Sequence, residues 1–306
     1  MPTLKTKTEW QIGIVHRGKA LTPHPPLKER KNQEKLMNQF KFGLNTSTIR
    51  PSGLMDKIKI AASAGYEAIE LWNDDLTAYE EDGGSLADVK SALEDHGLTV
   101  PTVIALHGWL NTTGDEHVQA IEETKHRMNQ AIAIGSQRIV ASPPMEKADL
   151  DLGGKNYREL LEIGRELGIS PAMEFLGFVQ GINQVKDAWK IIENADHPDS
   201  TIVLDPFHIF RGGGDTEDMR EIPAEKIAVF HFNDAPASPA RKLQTDADRV
   251  YPGEGILDLR QMISILRSSG YNGVISLELF NPIYWEQDPL EVAKIGLDKM
   301  KSVVAS

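Results

Sequence analysis

From Phe40 onward, short apolar runs alternate with longer stretches in which apolar residues recur every three or four positions. The first pattern predicts strands buried on both faces, and the second predicts amphipathic helices packed over them. The strands fall at Phe42-Gly-Leu-Asn, Tyr66–Leu71, Val100–Ala105, Arg138–Ala141, Ala172–Phe175, Thr201–Leu204, Ile227–Phe232 and Val274–Leu279. Between them the spacing predicts helices over Leu54–Ala64, Ser85–His96, Glu116–Ile134, Lys155–Leu167, Val185–Glu193, Leu257–Ser268 and Pro289–Val303. A short sixth helix is predicted at Thr216–Arg220, bounded by Pro223. Gly65, Gly97 and Gly135 follow three of these stretches, where glycine ends a helix at little steric cost.

Eight strand–helix pairs in strict alternation predict an α/β fold of the (β/α)8 TIM barrel type, in one domain over residues 40–306. Residues 1–39 keep no period. They include the proline-rich Leu21-Thr-Pro-His-Pro-Pro-Leu and a polar run over Lys28–Lys35, and are expected to form a flexible or loosely docked N-terminal extension. No Gly-x-Gly-x-x-Gly follows any strand, which argues against a dinucleotide site.

Four of the last strands close on a polar residue: Glu174, Asp205, His231 and Glu278. A parallel barrel brings its strand ends to one rim, so these residues converge although they lie far apart in sequence. An isolated carboxylate beside apolar neighbours costs several kcal/mol to desolvate unless it is paired or ligated. Three carboxylates and one imidazole make a donor set for one divalent cation, and its hardness suits Mn, Co, Zn or Mg. His208, three residues past Asp205, lies on the loop above that strand. Arg249 lies in the Pro/Gly-rich turn Asp248-Arg-Val-Tyr-Pro-Gly-Glu-Gly, and offers a planar fork for a substrate oxygen. His107 follows the third strand as a candidate for the pocket wall. Trp72, Trp109 and Trp285 follow strand ends, where an indole face can stack on a sugar or cyclitol ring. His96, His117 and His126 fall in helical stretches and read as solvated.

Composition narrows the picture. The 306 residues carry a formal net charge of −12, from 45 acidic against 33 basic side chains. That field disfavours a nucleic-acid partner. The chain has no cysteine, which removes thiolate ligands and disulfides. No apolar run is long enough for a membrane span, and the cytoplasm is the expected compartment. A small-molecule partner is expected, and homo-oligomerisation is left open.

The chain resembles the xylose isomerase-like barrels grouped as sugar phosphate isomerases and epimerases, and within them is most similar to the inosose (2-keto-myo-inositol) isomerases of inositol catabolism. The resemblance runs from about Phe40 to the end. It is densest in Leu204-Asp-Pro-Phe-His, Phe230-His-Phe-Asn-Asp, Asp248-Arg-Val-Tyr-Pro-Gly-Glu-Gly-Ile-Leu-Asp-Leu and Val274-Ile-Ser-Leu-Glu-Leu-Phe-Asn-Pro-Ile-Tyr. It implies that Glu174, Asp205, His231 and Glu278 hold the metal, that Glu174 and Glu278 also do acid/base work, and that His208 and Arg249 touch substrate. The segment His107-Gly-Trp-Leu-Asn departs from the pattern. The implied activity is a metal-dependent isomerase or epimerase acting through an enediolate. Alternatives are a lyase on the same barrel (inosose or dehydroshikimate dehydratase, or keto-glycoside cleavage) and a non-catalytic sugar-binding barrel. A DNA-repair endonuclease of the related barrels would need more rim histidines and a basic groove.

Overall fold

The computed structural model describes residues 39–306. The expected extension over residues 1–39 therefore lies, apart from Gln39, outside the described residues. Eight strands run β1 Lys41–Asn45, β2 Ala68–Trp72, β3 Val103–Leu106, β4 Arg138–Ala141, β5 Ser170–Met173, β6 Thr201–Leu204, β7 Ile227–Phe232 and β8 Val274–Leu277. They form a closed barrel in sequence order, every neighbouring pair parallel, with β8 returning to β1.

The period of two along each strand divides the side chains between two cores. Leu44, Ile69, Leu71, Ile139, Met173, Ile202, Leu204, Phe230, Phe232, Ile275 and Leu277 belong to the larger core, which the helices share. Ala68, Val140, Ala172, Val203, Val229 and Val274 form a second cluster of small residues. Two residues beyond each of these, the same alternation reaches Glu70, Ser142, Glu174, Asp205, His231 and Ser276, all buried. Small apolar side chains thus occupy one level of the barrel interior and polar ones the next, toward the strands' C-terminal ends. That rim is where barrels of this architecture build their sites.

Helix ends follow local chemistry. Ser85 accepts a hydrogen bond from the Asp88 N–H at 3.2 Å and starts the helix Leu86–Asp95. Gly65 ends Leu54–Ala64 at φ 93°, a left-handed conformation that glycine adopts without a Cβ clash. Three helices go beyond the expected set, one of them the single turn Pro282–Trp285. Asn73–Glu81 buries only Asn73 and Leu76, too thin a stripe to register as a period, and is tied to its neighbour by the buried Lys57 donating to Asp75 at 2.7 Å. Pro206–Gly212 starts on a proline, which is compatible with a first helical turn because the missing N–H has no intrahelical partner there. The predicted helix at Thr216–Arg220 is a 3-10 turn, Thr216–Glu221. No helix among the described residues is long and apolar enough to cross a membrane.

Candidate metal centre

His231 sits at the centre of the polar level, fully buried in β7 and opposite Ser276 of β8. Its Nδ1 lies 3.1 Å from Glu278 Oε2, 3.8 Å from Asp205 Oδ2 and 4.0 Å from Glu174 Oε1. That nitrogen is buried and has no hydrogen-bond partner of suitable geometry among the described residues. One ligand atom each from Asp205, His231 and Glu278 fall within 4.8 Å of one another. Glu174 borders this trio, with its Oε2 accepting from the Ser142 hydroxyl at 2.8 Å. A buried, unpartnered imidazole nitrogen facing three carboxylates fits a divalent cation with one nitrogen and up to three oxygen donors. Asp205 also caps the helix Pro206–Gly212, its Oδ1 accepting from the His208 N–H at 2.9 Å, while Oδ2 accepts from Asn233 at 3.0 Å.

The loop between β7 and β8 folds back over this cluster. Its Arg249, 1% exposed, donates through Nη1 to Asp205 Oδ2 at 2.8 Å and to Glu278 Oε2 at 2.7 Å. Nε and Nη2 donate to Asp246 Oδ1 at 2.9 and 2.6 Å, and the guanidinium lies 4.9 Å from the Phe207 ring and 5.3 Å from that of Phe280. The sequence suggested a fork aimed at a substrate oxygen. In the structure its bonds run to three carboxylates, and a ligand near Arg249 would share it with them. His208 is buried too, its Nδ1 accepting from the Gly177 N–H at 3.2 Å and its Nε2 2.9 Å from Arg249 Nη2. Rings of Phe175, Phe178 and Phe207 meet it edge-on.

Burial and charge move the titrations of these groups apart. Burial pushes Glu174 up to about 8; Glu278 and Asp205 add to the rise, and His231 opposes it. Burial also acts on Asp205, but Arg249, His208 and His231 outweigh it and leave that carboxyl well below its usual range. For His231, burial disfavours the charged ring, yet Glu278 and Glu70 prevail and raise its pKa. Burial lowers that of His208, with Asp205 opposing.

Glu174 and His231 hold protons in the folded chain that the unfolded chain releases, so the stability of chelator-treated protein falls as pH rises from about 6.5 to about 8. Asp205 and His208 work in the other direction, but the contribution of Asp205 is complete above the ordinary carboxylate pKa of 3.8 and that of His208 above the ordinary histidine pKa of 6.5. Urea denaturation across this window should show a decline of up to about 1.4 kcal/mol per pH unit for each proton. A flat profile would contradict it.

The β7–β8 loop is itself pinned by Asp234. Its Oδ1 accepts from the N–H groups of Ala235 at 2.8 Å and Leu257 at 3.0 Å, and its Oδ2 from those of Gly253 and Gly255, both at 3.0 Å. A Cβ on Gly255 would collide with this carboxylate, so the close approach requires glycine. In Asp234→Asn, an amide NH2 would face two of these donors. It should cost on the order of 2 kcal/mol in urea denaturation and loosen Arg249 with the loop.

The remaining expected site residues fall in different places. Trp72 is half-buried at the rim, donating through Nε1 to Asn45 Oδ1 at 3.0 Å and meeting Phe280 edge-on at 5.8 Å. Trp285, also half-buried, donates to the Ser47 carbonyl at 2.9 Å. Trp109 is fully buried against Tyr157, at 5.8 Å, and presents no face to a ligand. Asn156 holds that loop down by donating to the carbonyls of Trp109, Leu110 and Thr112. His107 is exposed just past β3. His117, read as solvated, is partly buried between Thr112 Oγ1 at 3.1 Å and Glu159 Oε2 at 2.7 Å. Sequence reasoning passed over Asn45, Glu70 and Ser142. The signal for Glu70 is a carboxylate in mid-strand, between Ile69 and Leu71.

Comparison with known proteins agrees with this architecture. The model of the xylose isomerase-like TIM barrel family matches residues 58–303. An inosose isomerase of Halalkalibacterium halodurans is 31% identical over 267 residues, spanning 85% of this chain and 94% of that protein. A 3-dehydroshikimate dehydratase of Pseudomonas putida is 25% identical over 240 residues, spanning 77% of this chain but 37% of that protein. Among solved structures, a crystal structure of the IolI protein with a bound zinc atom superposes with a TM-score of 0.80 at 28% identity, covering 87% of this chain and 98% of the other. The chain belongs to the xylose isomerase-like TIM barrel family.

Proposed function

We propose that this chain is a divalent-metal-dependent isomerase or epimerase of a keto-polyol, with a cyclitol ketone such as 2-keto-myo-inositol as its substrate class. The observation that carries the reading is the unpartnered Nδ1 of His231 facing Asp205, Glu278 and Glu174 inside the barrel mouth. The similarity to inosose isomerases supports the substrate class. Asp205, His231, Glu278 and Glu174 would hold Mn, Co, Zn or Mg, which would supply Lewis-acid polarisation of a substrate carbonyl.

The chain's own residues then handle the proton. Glu174 takes a proton from the carbon beside the carbonyl, leaving an enediolate of the substrate. Ser142 holds Glu174 in place. Glu278, which like Glu174 faces His231 Nδ1, is the second acid/base group. Return of the proton to the neighbouring carbon gives isomerisation, and return to the opposite face gives epimerisation. Arg249 and His208 border the reacting oxygens and offset their developing charge. Trp72 and the exposed His107 contribute to the rim of the pocket; Trp109 supports its wall from behind.

A second reading, elimination of a β-hydroxyl by the same proton abstraction, is favoured by the similarity to 3-dehydroshikimate dehydratases. Proton NMR in D2O with added Mn separates the two. Isomerisation or epimerisation should place deuterium beside the carbonyl of an inosose at constant formula, whereas elimination creates a double bond. No exchange and no product across inososes, ketohexoses and 3-dehydroshikimate would overturn both.

A further inference from the structure

Glu70 is fully buried in the middle of β2, where an unpaired carboxylate would cost several kcal/mol. Its Oε1 lies 3.3 Å from His231 Nε2 and accepts a hydrogen bond from Thr102 Oγ1. Its Oε2 lies 3.4 Å from Asn45 Nδ2. The His231 ring thus stands between two sets of acids, with Nε2 toward Glu70 and Nδ1 toward Asp205, Glu174 and Glu278. An ionised carboxylate only accepts, so a neutral His231 must carry its proton on Nε2. That leaves the Nδ1 lone pair directed at the three other carboxylates.

The same network extends to a second ligand candidate. Asn45 Nδ2, near Glu70, donates to Glu278 Oε1 at 3.0 Å, and Asn45 Oδ1 accepts from Trp72 Nε1 at 3.0 Å and from the Ser47 N–H at 3.1 Å. These last two bonds fix the Asn45 amide with its NH2 toward the carboxylates. Glu70 therefore bears on His231 directly and on Glu278 through Asn45.

We propose that Glu70 is a positioning residue of the metal centre: it selects the Nε2–H tautomer of His231 and so directs Nδ1 to the cation, without being a ligand itself. The proposal rests on the metal-dependent reading above. Outer carboxylates of this kind orient metal-bound imidazoles, and their loss typically weakens metal affinity by about 10- to 100-fold.

The test uses the full chain loaded with zinc. Affinity is measured by chelator competition for wild type, Glu70→Gln and Glu70→Ala, and 15N NMR of the histidine side chains reports the tautomer of His231. Wild type should bind one zinc with Nε2 protonated and Nδ1 coordinated. Glu70→Gln, which keeps one acceptor oxygen at nearly the same size, should bind up to about 10-fold more weakly, and Glu70→Ala about 100-fold. Wild type coordinating zinc through Nε2, or folded Glu70→Gln binding as tightly as wild type with an unchanged spectrum, would overturn the proposal while leaving the metal reading intact. Wild type that retains no zinc would overturn both. Should Glu70→Ala fail to fold, Glu70→Gln and the wild-type spectrum still decide.

Discussion

Glu174→Gln should lower kcat by about 10³-fold with little change in fold, within the range that a positioned acid or base contributes. The substitution is nearly isosteric, and an amide oxygen can go on accepting from the Ser142 hydroxyl that now bonds Oε2 at 2.8 Å. It also removes a carboxyl that burial has pushed up to about 8, so thermal stability should hold or rise. Deuterium uptake from D2O should fall in parallel with turnover, because both require the same proton transfer. Glu278→Gln should also lose activity, but for a second reason. Its two oxygens are held by Asn45 and Arg249, and a Gln amide nitrogen would face one of those donors. Stability should therefore drop in that variant and not in Glu174→Gln. Full turnover in both would remove these glutamates from the chemistry.

The second large effect is expected at Arg249. Its guanidinium is buried among Asp205, Asp246 and Glu278 and lies near two phenylalanine rings. Arg249→Met keeps much of the apolar volume but leaves these carboxylates without their cation. Breaking a buried pair from one side costs about 3–5 kcal/mol. Added Mn should restore part of that loss, since a dication between Asp205 and Glu278 offsets the same charges. Arg249→Lys keeps the charge but cannot form the fork, and should fall between wild type and Arg249→Met. Urea denaturation with and without Mn reads these differences. Equal stability of Arg249→Met and wild type would mean that the ion-pair network contributes nothing.

Much of this architecture is legible in the amino-acid sequence. Arg138–Ala141, Thr201–Leu204 and Ile227–Phe232 coincide with β4, β6 and β7 because each is an unbroken run bounded by polar or glycine-rich turns. Glu174, Asp205 and Glu278 stand out because each follows a buried strand directly. Features set by long-range packing are harder to read. Whether Trp109 faces a ligand or the core depends on Asn156, in the next helix, gathering three carbonyls of its loop. His117 shows a similar dependence, since its partner Glu159 lies 42 positions away. Glu70 is hard to single out because its strand, Tyr66–Leu71, carries two glutamates, and only the fold shows that Glu67 is exposed while Glu70 is buried toward the barrel axis. Pro206 obscured a helix because proline signals a break unless the first turn is recognised.

The central claim is that one cation belongs at the mouth of the barrel, between His231 Nδ1 and the carboxylates of Asp205, Glu278 and Glu174. Anomalous diffraction from crystals of the cobalt- or zinc-loaded protein tests it most directly. A single strong peak is expected about 2.0–2.2 Å from Nδ1 and from the carboxylate oxygens. An absent peak, or a metal bound elsewhere while these four side chains keep their present contacts, would contradict it.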